Sequence, residues 1–224
     1  NGLMARAFAS LYGDDPTVIV FASGVSNSAE HAADAFNRER RLLESLLATD
    51  VSRFVYFGSC ASSPLARTPY LRHKYEMESM VASTQVGLVL RLPQVVGRTA
   101  NPTTLTNFLH DRISSGTEFV LWSQAQRNLL DIDDLVPIAA TMIDTATDGP
   151  AVNSIASRIS HTMSELAMMF ERVLGCGANY TALPRGEPLE IDAPLCWSIA
   201  ETLGIDLGPG YAESVIRKYY GRDT

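Results

Sequence analysis

Tyr70 and Lys74 stand four residues apart in Thr68-Pro69-Tyr70-Leu71-Arg72-His73-Lys74-Tyr75-Glu76-Met77-Glu78, a stretch that reads as the start of a helix. An i,i+4 pair shares one helical face. Upstream, Ser59 closes the strand-like run Phe54-Val55-Tyr56-Phe57-Gly58-Ser59. A phenol, an ammonium and a hydroxyl brought into one crevice can move a proton to or from a carbinol oxygen. A free tyrosine titrates near ~10, and a neighbouring positive charge favours the phenolate. Lys74 is therefore expected to lower the pKa of Tyr70, and Ser59 to polarise a carbonyl. Taken singly, each residue has a plainer reading. Tyr70 packs a helix start, Lys74 is solvated, and Ser59 ends a strand.

Such a trio needs a scaffold that brings a strand end to a helix start. Thr17-Val18-Ile19-Val20-Phe21-Ala22-Ser23 is a continuous apolar run, as suits a strand buried in a parallel sheet. Gly24-Val25-Ser26-Asn27-Ser28 follows as a loop at its carboxyl end, where ligands bind in open α/β sheets. Ala22, Ser23 and Gly24 are small enough to admit a cofactor, and Ser26 is a candidate substrate contact. The plainer reading is a turn with Ser28 as helix N-cap. Residues 29–48 are helical by pattern, with Phe36, Leu43, Leu46 and Leu47 on the apolar side and Asn37 among charges. Strands are expected at 53–59 and 87–93, separated by the Tyr70 helix. Strand and helix alternating at this spacing predict a parallel sheet with right-handed crossovers.

Residues 94–102 read as a long loop, 105–114 as a helix and 118–122 as a short strand. A helix ends near Thr145, with Asp133 or Asp134 in its first turn. A strand at 152–155 and a helix at 162–174 capped by Gly175 follow. The tail alternates loops with short helices near 193–203 and 211–219. At the other end, Asn1-Gly2-Leu3-Met4-Ala5 leads directly into an apolar helix pattern. A strand followed by G-x-x-G-x-x-G/A sets a dinucleotide pyrophosphate on a helix N-terminus. Gly2 and Ala5 fit the second and third small positions of that pattern, which makes Gly2, Leu3 and Met4 candidate cofactor contacts. The first glycine and its strand are expected to be missing, with the sequence starting inside the motif. A plain helix start is the alternative.

A chain of 224 residues with 46% hydrophobic and 19% charged residues has ample material for a core, and its length suits one domain. A net charge of −7 argues against a nucleic-acid partner. Cys60, Cys176 and Cys196 lack metal-ligand spacing and read as reduced thiols in a cytoplasmic protein. No metal is expected. No apolar run reaches the ~18–20 residues that span a bilayer, so no membrane partner is expected, and no signal peptide opens the chain.

Several segments in order carry a resemblance. Tyr70-x-x-x-Lys74 follows Ser59; Asn37 precedes the pair Leu42-Leu43; Arg91-Leu92-Pro93-Gln94-Val95-Val96-Gly97 and the run from Arg127 to Asp134 come later. Together they resemble the extended short-chain dehydrogenase/reductase family, the group of nucleotide-sugar epimerases, dehydratases and reductases, over about residues 1–157. The resemblance implies an α/β fold, a Rossmann-like doubly wound parallel sheet in shortened form, with a small mixed C-terminal substrate-binding portion. Residues 1–157 are the expected dinucleotide-binding core, and 158–224 are expected to pack on the same domain. It implies Ser59, Tyr70 and Lys74 as catalytic residues and NAD or NADP as cofactor. Gly2, Leu3, Met4, Ala22, Ser23 and Gly24 would touch that cofactor, with Tyr70, Lys74 and the stretch Leu92, Pro93, Gln94 and Val95. Ser26, Cys60, Asn107 and Arg127 would touch a nucleotide-sugar substrate, Arg127 through its diphosphate. A homodimer through the Tyr70 helix and the 29–48 helix is implied in the same way.

Two features depart from the family pattern. About five residues separate the first helix from the Thr17 strand, where the family has two more strands. Ser59 and Tyr70 are eleven residues apart, a short loop for the group. Cys60-Ala61-Ser62 stands where the sugar 4,6-dehydratases carry an Asp-Glu pair, which leaves 4-keto reduction or epimerisation, with reduction preferred. A non-catalytic NAD(P)-binding or scaffold protein of the same fold is the reading from another class.

Overall fold

The computed structural model describes residues 2–147 and 149–221. In chain order its elements are α1 (Leu3–Tyr12), β1 (Val18–Phe21), α2 (Ala33–Leu47), β2 (Arg53–Ser59), α3 (Pro69–Ala82), β3 (Gly87–Leu92), β4 (Gln94–Val96), α4 (Leu105–Ser114) and β5 (Phe119–Trp122). There follow β6 (Gln126–Arg127), β7 (Leu129–Asp131), α5 (Ile132–Thr145), β8 (Ala151–Ser154), β9 (His161–Thr162), α6 (Met163–Leu174), β10 (Tyr180–Leu183), α7 (Pro194–Leu203) and α8 (Tyr211–Tyr220). They form two compact units. One unit holds residues 2–92 with Leu135–Ile155; Pro93–Asp134 joins the residues from Ala156 onward in the other.

The first unit is a parallel sheet in the order β1-β2-β3-β8. Side chains alternate across a strand. Phe54 and Tyr56 of β2 therefore face one core with Phe21, Leu43, Met77, Val81 and Val89, beneath α2 and α3. Phe57 points the other way and meets Phe8 of α1, ring centroids 5.1 Å apart. On that side Tyr12 donates to Asp144 of α5 at 2.9 Å. Helices thus cover both faces of a Rossmann-like α/β sheet. Among the described residues β1 is a sheet edge, and α1 reaches it through the turn at 13–17.

α3 starts where Thr68 accepts a hydrogen bond from the Leu71 N–H and Pro69 takes the first helical position. α2 starts later than its pattern suggested. Ala29 donates to Asn27 Oδ1 in a local turn, and the helix begins at Ala33 after Ala32, so Ser28 is not its cap.

The second unit packs α4, α6 and α8 around Leu109, Ile113, Leu166, Phe170 and Ile216. α6 is bounded as its sequence implies, by a capping box between Thr162 and Glu165 and by Gly175 at φ 69°. Residues 94–96 are a strand rather than loop. Pro93 has no N–H to continue the β3 ladder, and from Gln94 the chain pairs with β7. β6 pairs antiparallel with β9, and β10, absent from the sequence reading, pairs with β5.

Candidate active site

Tyr70, Lys74 and Glu78 follow one another at single-turn spacing along α3. Lys74 and Glu78 are buried, and Tyr70 is half-buried. An unpaired buried charge costs several kcal/mol, so such groups persist only with good partners. Glu78 has them. Its Oε1 accepts from the Ser59 N–H at 3.0 Å and lies 2.6 Å from Ser62 Oγ, while Oε2 accepts from Arg91 Nε at 2.9 Å. The carboxylate of α3 thereby pins the end of β2, and with it Ser59, to the helix that carries Tyr70 and Lys74. Gly58 makes room for it, since a Cβ there would stand 2.2 Å from Glu78 Oε1. Ser59 Oγ accepts from the Ala61 N–H at 3.2 Å, which leaves its own hydrogen to donate.

Lys74 has a different partner, one that the sequence reading missed. Glu39 of α2 is 2% exposed and lies 3.7 Å from the Lys74 ammonium. It also accepts from Tyr56 Oη at 2.9 Å, from the Val25 N–H at 2.6 Å and from His73 Nε2 at 3.0 Å. Burial works against its charge, but His73, Lys74, Val25 and Tyr56 together outweigh that and bring its pKa down to about 2. The ionised carboxylate can only accept, so His73 Nε2 carries a hydrogen. His73 is buried with it. It is 5% exposed and stacks on Phe36 at 4.6 Å. Asn37, singled out in the sequence, is exposed. In the sequence Glu39 falls on the stripe Phe36, Leu43 and Leu46, but three arginines around it disguise that.

The electrostatics correct one expectation. Burial, then Glu39, then Glu78 push the Tyr70 phenol up to about 12 rather than down. Lys74 is itself held below the ordinary ammonium range, chiefly by desolvation, against the opposing pull of Glu39 and Glu78. Its charge is engaged by Glu39 and sits 4.5 Å from the centroid of the Tyr56 ring. Tyr70 Oη has no hydrogen-bond partner among the described residues.

The other expected contacts divide between the units. In the first, Gly2 caps α1 without a side-chain bond, and Leu3 and Met4 form its first turn. Ala22, Ser23 and Gly24 follow β1, and a Cβ on Gly24 would stand 2.8 Å from Glu39 Oε1 and 3.2 Å from Lys74 Nζ. Ser26 is exposed in that loop, and Leu92 ends β3. The Cys60 thiol donates to the Arg91 carbonyl at 3.3 Å. In the second unit, Pro93, Gln94 and Val95 run into β4. Asn107 is structurally engaged. Its Nδ2 donates to the Thr99 and Asn101 carbonyls, and its Oδ1 accepts from Tyr220 Oη at 2.6 Å. It pins the 99–104 loop to α4. Arg127, half-buried on β6, has its pKa lowered by desolvation and makes no ion pair among the described residues. The nearby carboxylates Asp131 and Asp133 are held by Lys218 instead.

The chain's fold is shared by solved structures at low sequence identity. It resembles the dTDP-glucose 4,6-dehydratase of Bacillus anthracis, solved with NAD, at TM-score 0.69 and 16% identity, covering 97% of this chain and 75% of that one. The UDP-glucuronic acid 4-epimerase of Bacillus cereus, solved with UDP-glucuronic acid and NAD, gives 0.67 and 15%, covering 98% and 80%. The protein RMD of Pseudomonas aeruginosa, solved with NADPH, gives 0.64 and 15%, covering 96% and 85%. No curated protein sequence matches significantly. No helix among the described residues is long and apolar enough to cross a membrane. The model of the NAD dependent epimerase/dehydratase family matches residues 5–156, and the chain belongs to that family.

Proposed function

We propose that the protein is an NAD(P)-dependent oxidoreductase that reduces the 4-keto group of a nucleotide-activated sugar. The observation that supports this best is the face of α3, where a half-buried, unpartnered Tyr70 hydroxyl precedes a buried Lys74, and Glu78 ties Ser59 to the same helix. The residues present fit the nicotinamide side of such a cofactor. Gly24 brings the backbone after β1 close to Lys74, where a Cβ would not fit, and the first-turn N–H groups of α1 have no side-chain cap. When bound, NADH or NADPH supplies the hydride.

The chain's own part is position and proton transfer. Gly2, Leu3 and Met4 would present backbone N–H groups to the cofactor's diphosphate, Ala22, Ser23 and Gly24 would wall it, and Lys74 would offer its ribose hydroxyls an ammonium. Leu92, Pro93, Gln94 and Val95 are assigned to the cofactor on family resemblance, and Ser26, Cys60 and Arg127 to the substrate. Ser59 donates its hydroxyl hydrogen to the keto oxygen. Tyr70 gives that oxygen its proton. A phenol pushed up to about 12 is protonated at neutral pH, which suits a donor. Epimerisation by the same residues must begin with proton removal from a carbinol, and the raised value disfavours that first step.

The test is a panel of UDP-, dTDP-, GDP- and CDP-4-keto sugars with NADH and NADPH, followed by absorbance. Tyr70→Phe should lower turnover by roughly 10²–10⁴-fold, the usual share of general acid–base catalysis, with an unchanged circular dichroism spectrum. Full activity in that variant sinks the mechanism. Cofactor binding seen in Trp122 and Trp197 fluorescence, without turnover of any sugar, would point to the non-catalytic reading.

A further inference from the structure

Glu39 joins four separate parts of the first unit. It sits on α2, takes the Val25 N–H from the loop after β1 and the Tyr56 hydroxyl from β2, and faces His73 and Lys74 on α3. Gly24, beside Val25, is the point of closest approach, because any Cβ there would collide with Glu39 and crowd Lys74. A buried carboxylate with four cationic or polar partners is an expensive feature that an apolar side chain at this helix position would avoid. One of the four partners is the lysine of the proposed site.

We propose that Glu39 is a positioning residue: its buried carboxylate fixes the Lys74 ammonium and the Gly24–Val25 backbone in one arrangement, so that the acid–base helix and the cofactor loop are set as a single piece. This rests on the oxidoreductase reading for its purpose, though not for its geometry. Lys74 is faced by Glu39 from α2, by the Tyr56 ring from β2, by the backbone at Gly24, and by Glu78 along its own helix. Of these, Glu39 is the carboxylate within ion-pair distance. Its charge opposes the desolvation that drives Lys74 toward its neutral form. An amine that lost its proton would still reach ribose hydroxyls, but it would no longer favour charge developing on Tyr70.

The chain offers a direct readout, because it contains two lysines, Lys74 and Lys218. With [13Cε]lysine the unligated protein gives two titrating signals, and Lys218 serves as internal reference. Glu39→Gln should lower the Lys74 midpoint by about one pH unit or more, the effect of removing an opposite charge within ~4–6 Å. Glu39→Asp, which keeps the charge but withdraws it, should lower the midpoint by less, and Lys218 should not move in either. If Glu39→Gln fails to fold, Glu39→Asp carries the test. In turnover, the alkaline limb of the kcat profile for 4-keto reduction should follow the Lys74 midpoint downward. A Lys74 midpoint that stays at its wild-type value in the folded variants overturns the proposal, whatever the activity. Absence of turnover in the wild type would instead overturn the oxidoreductase reading and leave the Lys74 shift standing.

Discussion

Lys74 in the first unit and Lys218 in the second both face carboxylates, yet their pKa values are shifted in opposite directions. The Lys74 side chain is 7% exposed and stands 3.7 Å from one carboxylate. The Lys218 side chain is 46% exposed and touches Asp131 at 2.6 Å and Asp133 at 2.7 Å. Desolvation wins at Lys74 and holds its pKa low. At Lys218 a smaller desolvation is outweighed by hydrogen bonds to Asp131 and Asp133, and its pKa is raised. A nearby carboxylate therefore does not by itself decide the state of an ammonium. Contact distance and remaining water decide it. Lys218 works as a clamp, joined by Tyr219 on Asp131 and Tyr211 on Asp134, that fastens α8 to β7 and the start of α5. Lys74 is stripped of most of its water with one carboxylate in reach, a setting that belongs to functional sites rather than to a clamp.

The sharpest way to break this comparison is to remove each ammonium while keeping its length. Lys74→Met leaves Glu39 buried with one partner fewer. Removing one side of a buried pair usually costs about 3–5 kcal/mol. Three donors remain on Glu39, and the desolvation of Lys74 is relieved, so a loss of about 2–3 kcal/mol is expected in urea denaturation, with turnover abolished. A loss below ~1 kcal/mol, the range of exposed ion pairs, would place Lys74 in the same class as Lys218.

How much of this was legible in the sequence differs between the units for one reason. Strands β1, β2 and β3 of the first unit are largely apolar runs of four to seven residues, and each meets its chain neighbour in the sheet. Local pattern therefore sufficed, and the Tyr70–Lys74 face followed from helical spacing alone. In the second unit β6 and β9 are two residues long and pair across a separation of more than thirty. No periodicity exists in two residues. β10 hid in a stretch broken by glycine and proline, and its partner β5 lies about sixty residues earlier. Capping chemistry was readable at the end of α6, as Gly175 shows, but not at the start of α2, where Ser28 is not the cap. Within the site, the residues with known chemistry were legible and the two glutamates that hold them were not. Glu39 and Glu78 look like ordinary surface charges until their neighbours on the helix face are counted. The pKa of Tyr70 failed for the same reason, since both unseen carboxylates bear on it.

Gly24→Ala is a milder probe of the same region. The new methyl would meet Glu39 Oε1 at 2.8 Å and Lys74 Nζ at 3.2 Å. Both are side-chain ends, but both are buried and held by other bonds, so yielding is not free. A stability loss of about 1–2 kcal/mol is expected, at the low end of core overpacking. The Lys74 [13Cε]lysine signal should shift, with the Lys218 signal unmoved. A shift of both signals would mean a general loosening rather than a local displacement.

The smallest effect is expected at Lys218, and there the pH dependence carries the argument. Lys218→Met should cost no more than about 1 kcal/mol at neutral pH, because the ammonium is half in water and Asp131 keeps its bond from Tyr219. The folded pKa of Lys218 lies above its unfolded value of about 10.5. Its stabilisation is therefore complete below that pH and is lost as pH rises through the folded value. The gap in stability between wild type and Lys218→Met should stay level to about pH 10 and close above it. Lys74 has the reverse sign. Its folded pKa lies below the unfolded one, so between the two the unfolded chain binds more protons and stability rises with pH. The gap between wild type and Lys74→Met should widen over that window. Tyrosines titrating at alkaline pH are common to all three proteins and cancel to first order in the differences. Urea denaturation at a series of pH values from about 8 to 11 measures both curves, and two gaps that moved in the same direction would dissolve the contrast between the clamp and the desolvated ammonium.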